Sequence, residues 1–220
     1  MSRRFLGVTL AAATLLTSAT APAGAAAASP FRGDADQVVT VVADSASATT
    51  AVLTAWQREG HDWTQAYGPV PAYVGQNGIG QASESTSRTP AGVWPLTEAF
   101  GNKPATTRLP YRRITTSDWW VSDVKSPHYN TYFSCAPGTC PFDEAAGENL
   151  GKAGPVYDHA VVIDYNRAPV VPGAGSAFFL HVGNGRPTAG CVSLPAADLD
   201  AVLRWLDPAR RPVIEISVSG

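Results

Sequence analysis

Ala177-Phe-Phe-Leu-His181-Val-Gly-Asn-Gly-Arg-Pro-Thr-Ala-Gly-Cys191-Val-Ser-Leu194 carries the pattern from which both the fold and the chemistry follow. Its first five residues are apolar up to a single histidine and predict a strand ending at His181. Val182 to Gly190 is rich in Gly, Asn and Pro, a composition that interrupts strands and helices alike and predicts a loop. That loop is short enough to bring Cys191 back beside His181. Beyond it the period changes. Leu199, Val202, Leu203 and Leu206 recur at helical spacing, Pro195 suits the first turn, and Pro208 closes the helix. Ile214, Ile216 and Val218 then alternate as a last strand.

Upstream, the β pattern dominates. Gln37-Val-Val-Thr-Val-Val-Ala43 is rich in β-branched residues and predicts a strand; Thr50 to Arg58 predicts a second, turning at Glu59-Gly60 and returning through Asp62 to Tyr67. Val70 to Val74 is a further extended candidate, and Tyr157 to Tyr165, around Ala160-Val-Val-Ile163, another. Nothing between residues 30 and 110 has helical periodicity. Residues 107–150, with Trp119, Trp120, Tyr129, Tyr132 and Phe133 among prolines and glycines, read as an irregular insertion. The expectation is a single, mainly β domain over residues 37–220 with one or two short packed helices, preceded by a short segment at 29–36.

The first 28 residues are set apart as a cleaved secretory signal. Arg3 and Arg4 form a basic start, Phe5 to Ala19 is an apolar run too short to remain in a membrane, and Ala23-Gly24-Ala25 supplies a small-x-small cleavage pattern. An ordinary secretory signal fits better than a twin-arginine one. About 190 residues remain, enough for one well-buried domain. The 16 Lys and Arg, two of them in the signal, stand against 18 Asp and Glu. Such a balance lacks the basic footprint of a nucleic-acid binder. No later apolar run reaches spanning length, so no transmembrane anchor is expected. Nothing in the sequence sets an oligomeric state.

Of the three cysteines, Cys135 and Cys140 flank a Pro-Gly turn at a spacing suited to a small disulfide loop in an exported protein. Half of a zinc site is the rival, but its other half is missing. Cys191 is left over. A thiol with an ordinary pKa of about 8.5 is a weak nucleophile at neutral pH without a base. His181 is placed to be that base. The Gly190 and Cys191 amides are placed to face an oxyanion, and the helix starting near Pro195 offers a positive end to a thiolate. Taken alone, a cysteine is more often a small buried hydrophobe and a strand-end histidine is usually only hydrogen-bonded. The combination favours an acyl-transfer nucleophile.

These residues resemble the YkuD-type L,D-transpeptidase catalytic domain, whose signature is a strand ending in His, a loop, then Ser/Thr-x-Gly-Cys. Here that signature is His181 followed by Thr188-Ala189-Gly190-Cys191. Thr89-Pro90-Ala91-Gly92-Val93-Trp94 resembles the Thr-Pro-x-Gly segment of the same family. The resemblance implies a β-sandwich or barrel and an exported, cell-wall-associated cysteine acyltransferase acting on peptidoglycan stem peptides. In it Cys191 matches the nucleophile, His181 the base, Thr188 the Ser/Thr position and Gly190 the residue before the nucleophile. A Cys191 thioester resolved by an amine would give an L,D cross-link; resolved by water it would make an L,D-carboxypeptidase. A non-catalytic wall-binding domain is the reading from another class. This chain departs from the pattern in its shorter His-to-Cys loop, in Ala189 where a His is frequent, and in Ser193 where an Arg is frequent; Thr188 and Ser193 join His159 and Arg186 as candidates for orienting the pair or binding substrate.

His159 begins a strand expected beside the one that ends in His181, where it would orient the catalytic pair, bind substrate or make a structural hydrogen bond. Arg186 is either a partner for a stem-peptide carboxylate or a solvated loop residue. Asp158 and Asp164 are expected to be structural. Trp119-Trp120 and Tyr129-Asn130 either line a groove or, more commonly for such residues, pack the insertion. A zinc site from His159, His181 and Cys191 does not match usual ligand spacing. No metal and no organic cofactor is implied.

Overall fold

In Gln37–Ala43 (β1) almost every residue is buried, the pattern of a strand covered on both faces. The computed structural model describes residue 31 and residues 33–219; the signal expected over residues 1–28 lies outside them. β1 pairs antiparallel with Thr50–Glu59 (β2) and parallel with the last strand, Val213–Val218. Next come Asp62–Tyr73 (β3), the two-residue strands Ile79–Gly80 (β4) and Thr89–Pro90 (β5), Gly92–Gly101 (β6) and Tyr111–Arg113 (β7). The short strands Asp118–Trp120 (β8), Tyr132–Ser134 (β9) and Glu148–Asn149 (β10) follow. The chain ends with Ala160–Ile163 (β11), Phe179–Val182 (β12), Val192–Leu194 (β13), the helix Ala196–Trp205 (α1) and Val213–Val218 (β14).

The main sheet runs β11-β12-β13-β3-β2-β1-β14-β6-β7, and β6 also pairs with β11. That second pairing closes the sheet into a barrel, which removes the open edges along the circuit. The fold is thus mainly β, as expected, with a single α-helix among the described residues. Leu199, Val202 and Leu203 of α1 and the following Leu206 are buried in the main core with Val39, Val41, Leu53, Leu180 and Ile214. Pro195 caps the helix start and Pro208 opens a 3-10 turn after its end. No helix of the described residues is long and apolar enough to cross a membrane.

Strand alternation divides the interior in two. Val161, Ile163 and Leu180 enter the main core. Ala160, Val162 and Phe179 face the other way, into a second cluster with Phe100, Trp120, Leu150, Tyr157 and Cys191. There Phe179 meets Phe100, Trp120 and Tyr157 edge-on at centroid distances of 5.0, 5.1 and 5.6 Å. Edge-to-face rings at such separations add to area burial.

Three expectations are corrected. Val70 to Val74 is not a separate strand, because β3 continues through Gly68-Pro69 to Tyr73. Gly68 makes this possible: its φ is +84°, a Cβ there would lie 2.7 Å from Leu53 O, and the pairing shifts register opposite it. A proline is tolerated in a strand at such an irregularity. The strand expected over Tyr157 to Tyr165 is shorter, since Gly154–Tyr157 forms a 3-10 turn and pairing begins at Ala160. The segment 107–150 is less irregular than its composition suggests: β10-β8-β9 form a small sheet. Cys135 and Cys140 are joined by a disulfide beside it.

Candidate active site

β12 and β13 run parallel, with His181 in register opposite Ser193, so the loop from Gly183 to Cys191 leaves the end of one strand and returns to the start of the next. Both His181 and Cys191 line a cleft of about 400 Å³. His181 reaches it because it follows Phe179 on the same face of β12, with Leu180 turned to the main core.

The return of the loop is pinned at each step. The Thr188 amide donates to Val74 O at 2.9 Å and the Gln76 amide to Thr188 O at 2.8 Å. The Thr188 hydroxyl donates to Cys191 O at 2.6 Å while accepting the Gly190 N–H at 3.1 Å. Thr89, fully buried, donates to the same Cys191 carbonyl at 3.3 Å and accepts the Gly75 N–H at 2.8 Å. Gly190 has φ +146°, and a Cβ there would lie 2.7 Å from the Phe178 ring and 3.1 Å from Arg88 O. Only glycine suits both the backbone and the space.

Cys191 is 8 % exposed. Its Sγ donates to Ala177 O and accepts the Phe179 N–H, each at 3.4 Å. Burial pushes the thiol up to about 12, and the Glu148 carboxylate adds to the rise. Burial also pushes His181 below its ordinary value, against the opposing effect of its bond to Val182 O. That bond, 2.9 Å from Nδ1, fixes the tautomer. A carbonyl only accepts, so Nδ1 carries the proton and Nε2 is left as a base. The pair in the free protein is therefore neutral thiol and neutral imidazole.

Two details of the expected activation are corrected. The Gly190 amide is already engaged by Thr188 Oγ1, so the Cys191 amide is the one of that pair left for an oxyanion. The amino end of α1 does not reach the thiol, because β13 intervenes and separates them by roughly 10 Å at ~3.3 Å per strand residue. A helix end acts only over about its first turn.

The other expected residues divide. Arg186 lines the cleft, is exposed, and its guanidinium joins no ion pair among the described residues. His159 does stand beside the β12 strand, but its ring turns away: Nδ1 lies 2.5 Å from Asp200 of α1 and Nε2 3.1 Å from Pro104 O. It is a structural hydrogen-bonding group, because it precedes Ala160, whose side faces the second cluster, and so projects to the opposite face. Ser193 is wholly buried in the barrel wall and its Oγ has no hydrogen-bond partner, so it does not orient His181. Asp158 pairs with Lys103 and Asp164 with Arg167. Trp120 and Trp119 pack in buried clusters rather than lining a groove. Tyr129 is buried and hydrogen-bonds to Glu84.

Two site residues have no signal in the sequence. Glu148 of β10 lines the cleft and accepts the Tyr157 hydroxyl at 2.5 Å. Tyr157 in turn sets its ring edge-on to His181, with centroids 5.5 Å apart. The two come from an aperiodic segment and a 3-10 turn, where spacing carries no information about which side chains meet.

Two measurements check this geometry. Thr188→Ala removes one of the two side-chain bonds to Cys191 O and strands the Gly190 amide, which should destabilise the protein by about 1–3 kcal/mol in urea denaturation. Thr188→Ser should retain most of that stability, and equal losses for the two variants would contradict the hydroxyl's role. Alkylation of Cys191 by iodoacetamide in the free protein should keep rising through pH 9 and 10, because the thiol holds its proton to about 12. A plateau near neutral pH would show a resting thiolate and refute the neutral pair.

Comparison with known proteins agrees with the geometry. The chain matches the YkuD family, L,D-transpeptidase catalytic domain, over residues 39–214. No curated protein matches it. The matched span runs from within β1 to the first residues of β14 and includes both His181 and Cys191. The chain therefore belongs to the L,D-transpeptidase catalytic domain family, whose type of catalysis is directed at peptidoglycan.

Proposed function

We propose that the protein is an exported L,D-transpeptidase that works through a Cys191 thioester. The observation that carries this reading is the shared cleft, in which a clamped Cys191 and a tautomerically fixed His181 are both buried. A stem peptide enters with the carbonyl preceding its terminal D-residue at Sγ. As Sγ attacks that carbon, the thiol proton passes to His181 Nε2, so no free thiolate has to be maintained in a buried site. The Cys191 amide donates to the oxyanion. The C–N bond then breaks, and the departing amine takes the proton from the imidazolium. An amine of a second stem attacks the thioester, the C–S bond breaks, and thiol is regenerated as a cross-link forms. Arg186, on the cleft with no ion pair, suits a stem-peptide carboxylate. The basic start, apolar run and small-residue exit of residues 1–28 support export to the cell wall.

Intact-mass spectrometry with a carbapenem tests the reading, since a strained lactam carbonyl acylates a catalytic thiol. Wild type should gain the full mass of the compound and Cys191→Ala none. His181→Ala should acylate ~10²-fold more slowly or worse. Folded wild-type protein that forms no adduct and turns over no muropeptide would instead be a wall-binding domain.

A further inference from the structure

Glu148 is placed where it hinders the nucleophile. Its negative charge helps to hold the proton on Cys191. The residue is half-buried and opens onto the cleft. The Tyr157 hydroxyl bonds only Oε1. Oε2 has no protein partner, and no Lys, Arg or His of the described residues forms an ion pair with Glu148. It shares the cleft with Tyr157, His181, Arg186 and Cys191, and the Arg186 guanidinium forms no ion pair with it. Oε2 is thus a free acceptor on the wall of the cleft that also holds Cys191.

The geometry points to Glu148 as the acceptor-amine residue: its Oε2 receives the incoming ammonium group and removes the proton that blocks attack on the thioester. This assignment rests on the cysteine-enzyme reading above. The step balances simply. R-NH3+ gives one proton to the carboxylate, leaving R-NH2 and neutral Glu148. The amine lone pair forms the C–N bond, the C–S bond breaks, and sulfur leaves with the electron pair. The second amine proton passes through His181 to sulfur, and Glu148 returns its proton to solvent. During this half of the cycle Cys191 is acylated and has no proton to lose, so the charge on Glu148 no longer opposes anything. Burial also raises the Glu148 carboxyl above the usual range, against the effect of the Tyr157 bond. That shift moves it toward the pKa of a useful general base. The residue would thereby favour amines over water as acceptors.

The test uses a tetrapeptide stem with a free side-chain amine, which serves as donor and acceptor at once. Mass spectrometry reads the ratio of cross-linked dimer to hydrolysed tripeptide, a ratio that does not depend on how fast the thioester forms. Glu148→Gln keeps the shape and an acceptor for Tyr157; the ratio should fall about tenfold or more. Glu148→Asp should lie between Gln and wild type, and carries the comparison if the Gln variant does not acylate. A ratio within about twofold of wild type in whichever variant acylates would overturn the assignment, as would a wild-type enzyme that only hydrolyses. Absence of any thioester in wild type is a different failure, that of the cysteine-enzyme reading itself.

Discussion

The Cys191 carbonyl oxygen accepts two side-chain hydrogen bonds, from Thr188 at 2.6 Å and Thr89 at 3.3 Å, and the site is organised around that oxygen. Thr188 belongs to the loop that returns from His181, and Thr89 to a segment about a hundred residues earlier. Each threonine has a second bond, from the Gly190 or Gly75 amide, so neither hydroxyl is free to rotate. The backbone at Cys191 is thus tied to β5, to the end of β3 and to its own loop. A thiol must be held within a fraction of an ångström of its attack position. Here rigid strands on three sides do the holding rather than the thiol's own weak bonds.

The barrel sets the other half of the arrangement. Alternation along β12 sends Leu180 to the main core and Phe179 and His181 to the other side, so one strand both closes the core and presents His181 to the cleft. The rings around Phe179 floor the cleft and exclude water beneath the thiol. That exclusion explains the electrostatics: it keeps Cys191 protonated and His181 neutral. Neutrality suits a nucleophile that is to act only when a carbonyl arrives. It also leaves Glu148 as a carboxylate on the wall of the cleft beside the thiol.

The parts legible in the sequence are those whose reason is local. β1 and β14 announce themselves by β-branched alternation, α1 by the spacing of Leu199, Val202, Leu203 and Leu206, and the Cys135–Cys140 bridge by its turn. Cys191 and His181 stand out because one is the thiol left unpaired by the Cys135–Cys140 bridge and the other lies near the end of an apolar strand. Thr89 and Thr188 are visible as motif positions, but their meeting on one oxygen is a product of the barrel. The helix end near Pro195 misleads because three strand residues, unremarkable in composition, carry it away from the thiol. The continuity of β3 past Gly68-Pro69 depends on how Leu53 lies opposite it, and Glu148 depends on a small sheet in an aperiodic segment. Contacts of this kind follow from tertiary pairing, which spacing does not encode.

The central claim is that Cys191 carries the acyl group of a stem peptide. Acid quenching of the protein during turnover of a tetrapeptide stem, followed by proteolysis and mass spectrometry at low pH, tests it most directly. The account predicts the acyl-tripeptide mass on the fragment containing Cys191, released by hydroxylamine. Turnover with no label on that fragment, or with label on another residue, would contradict it.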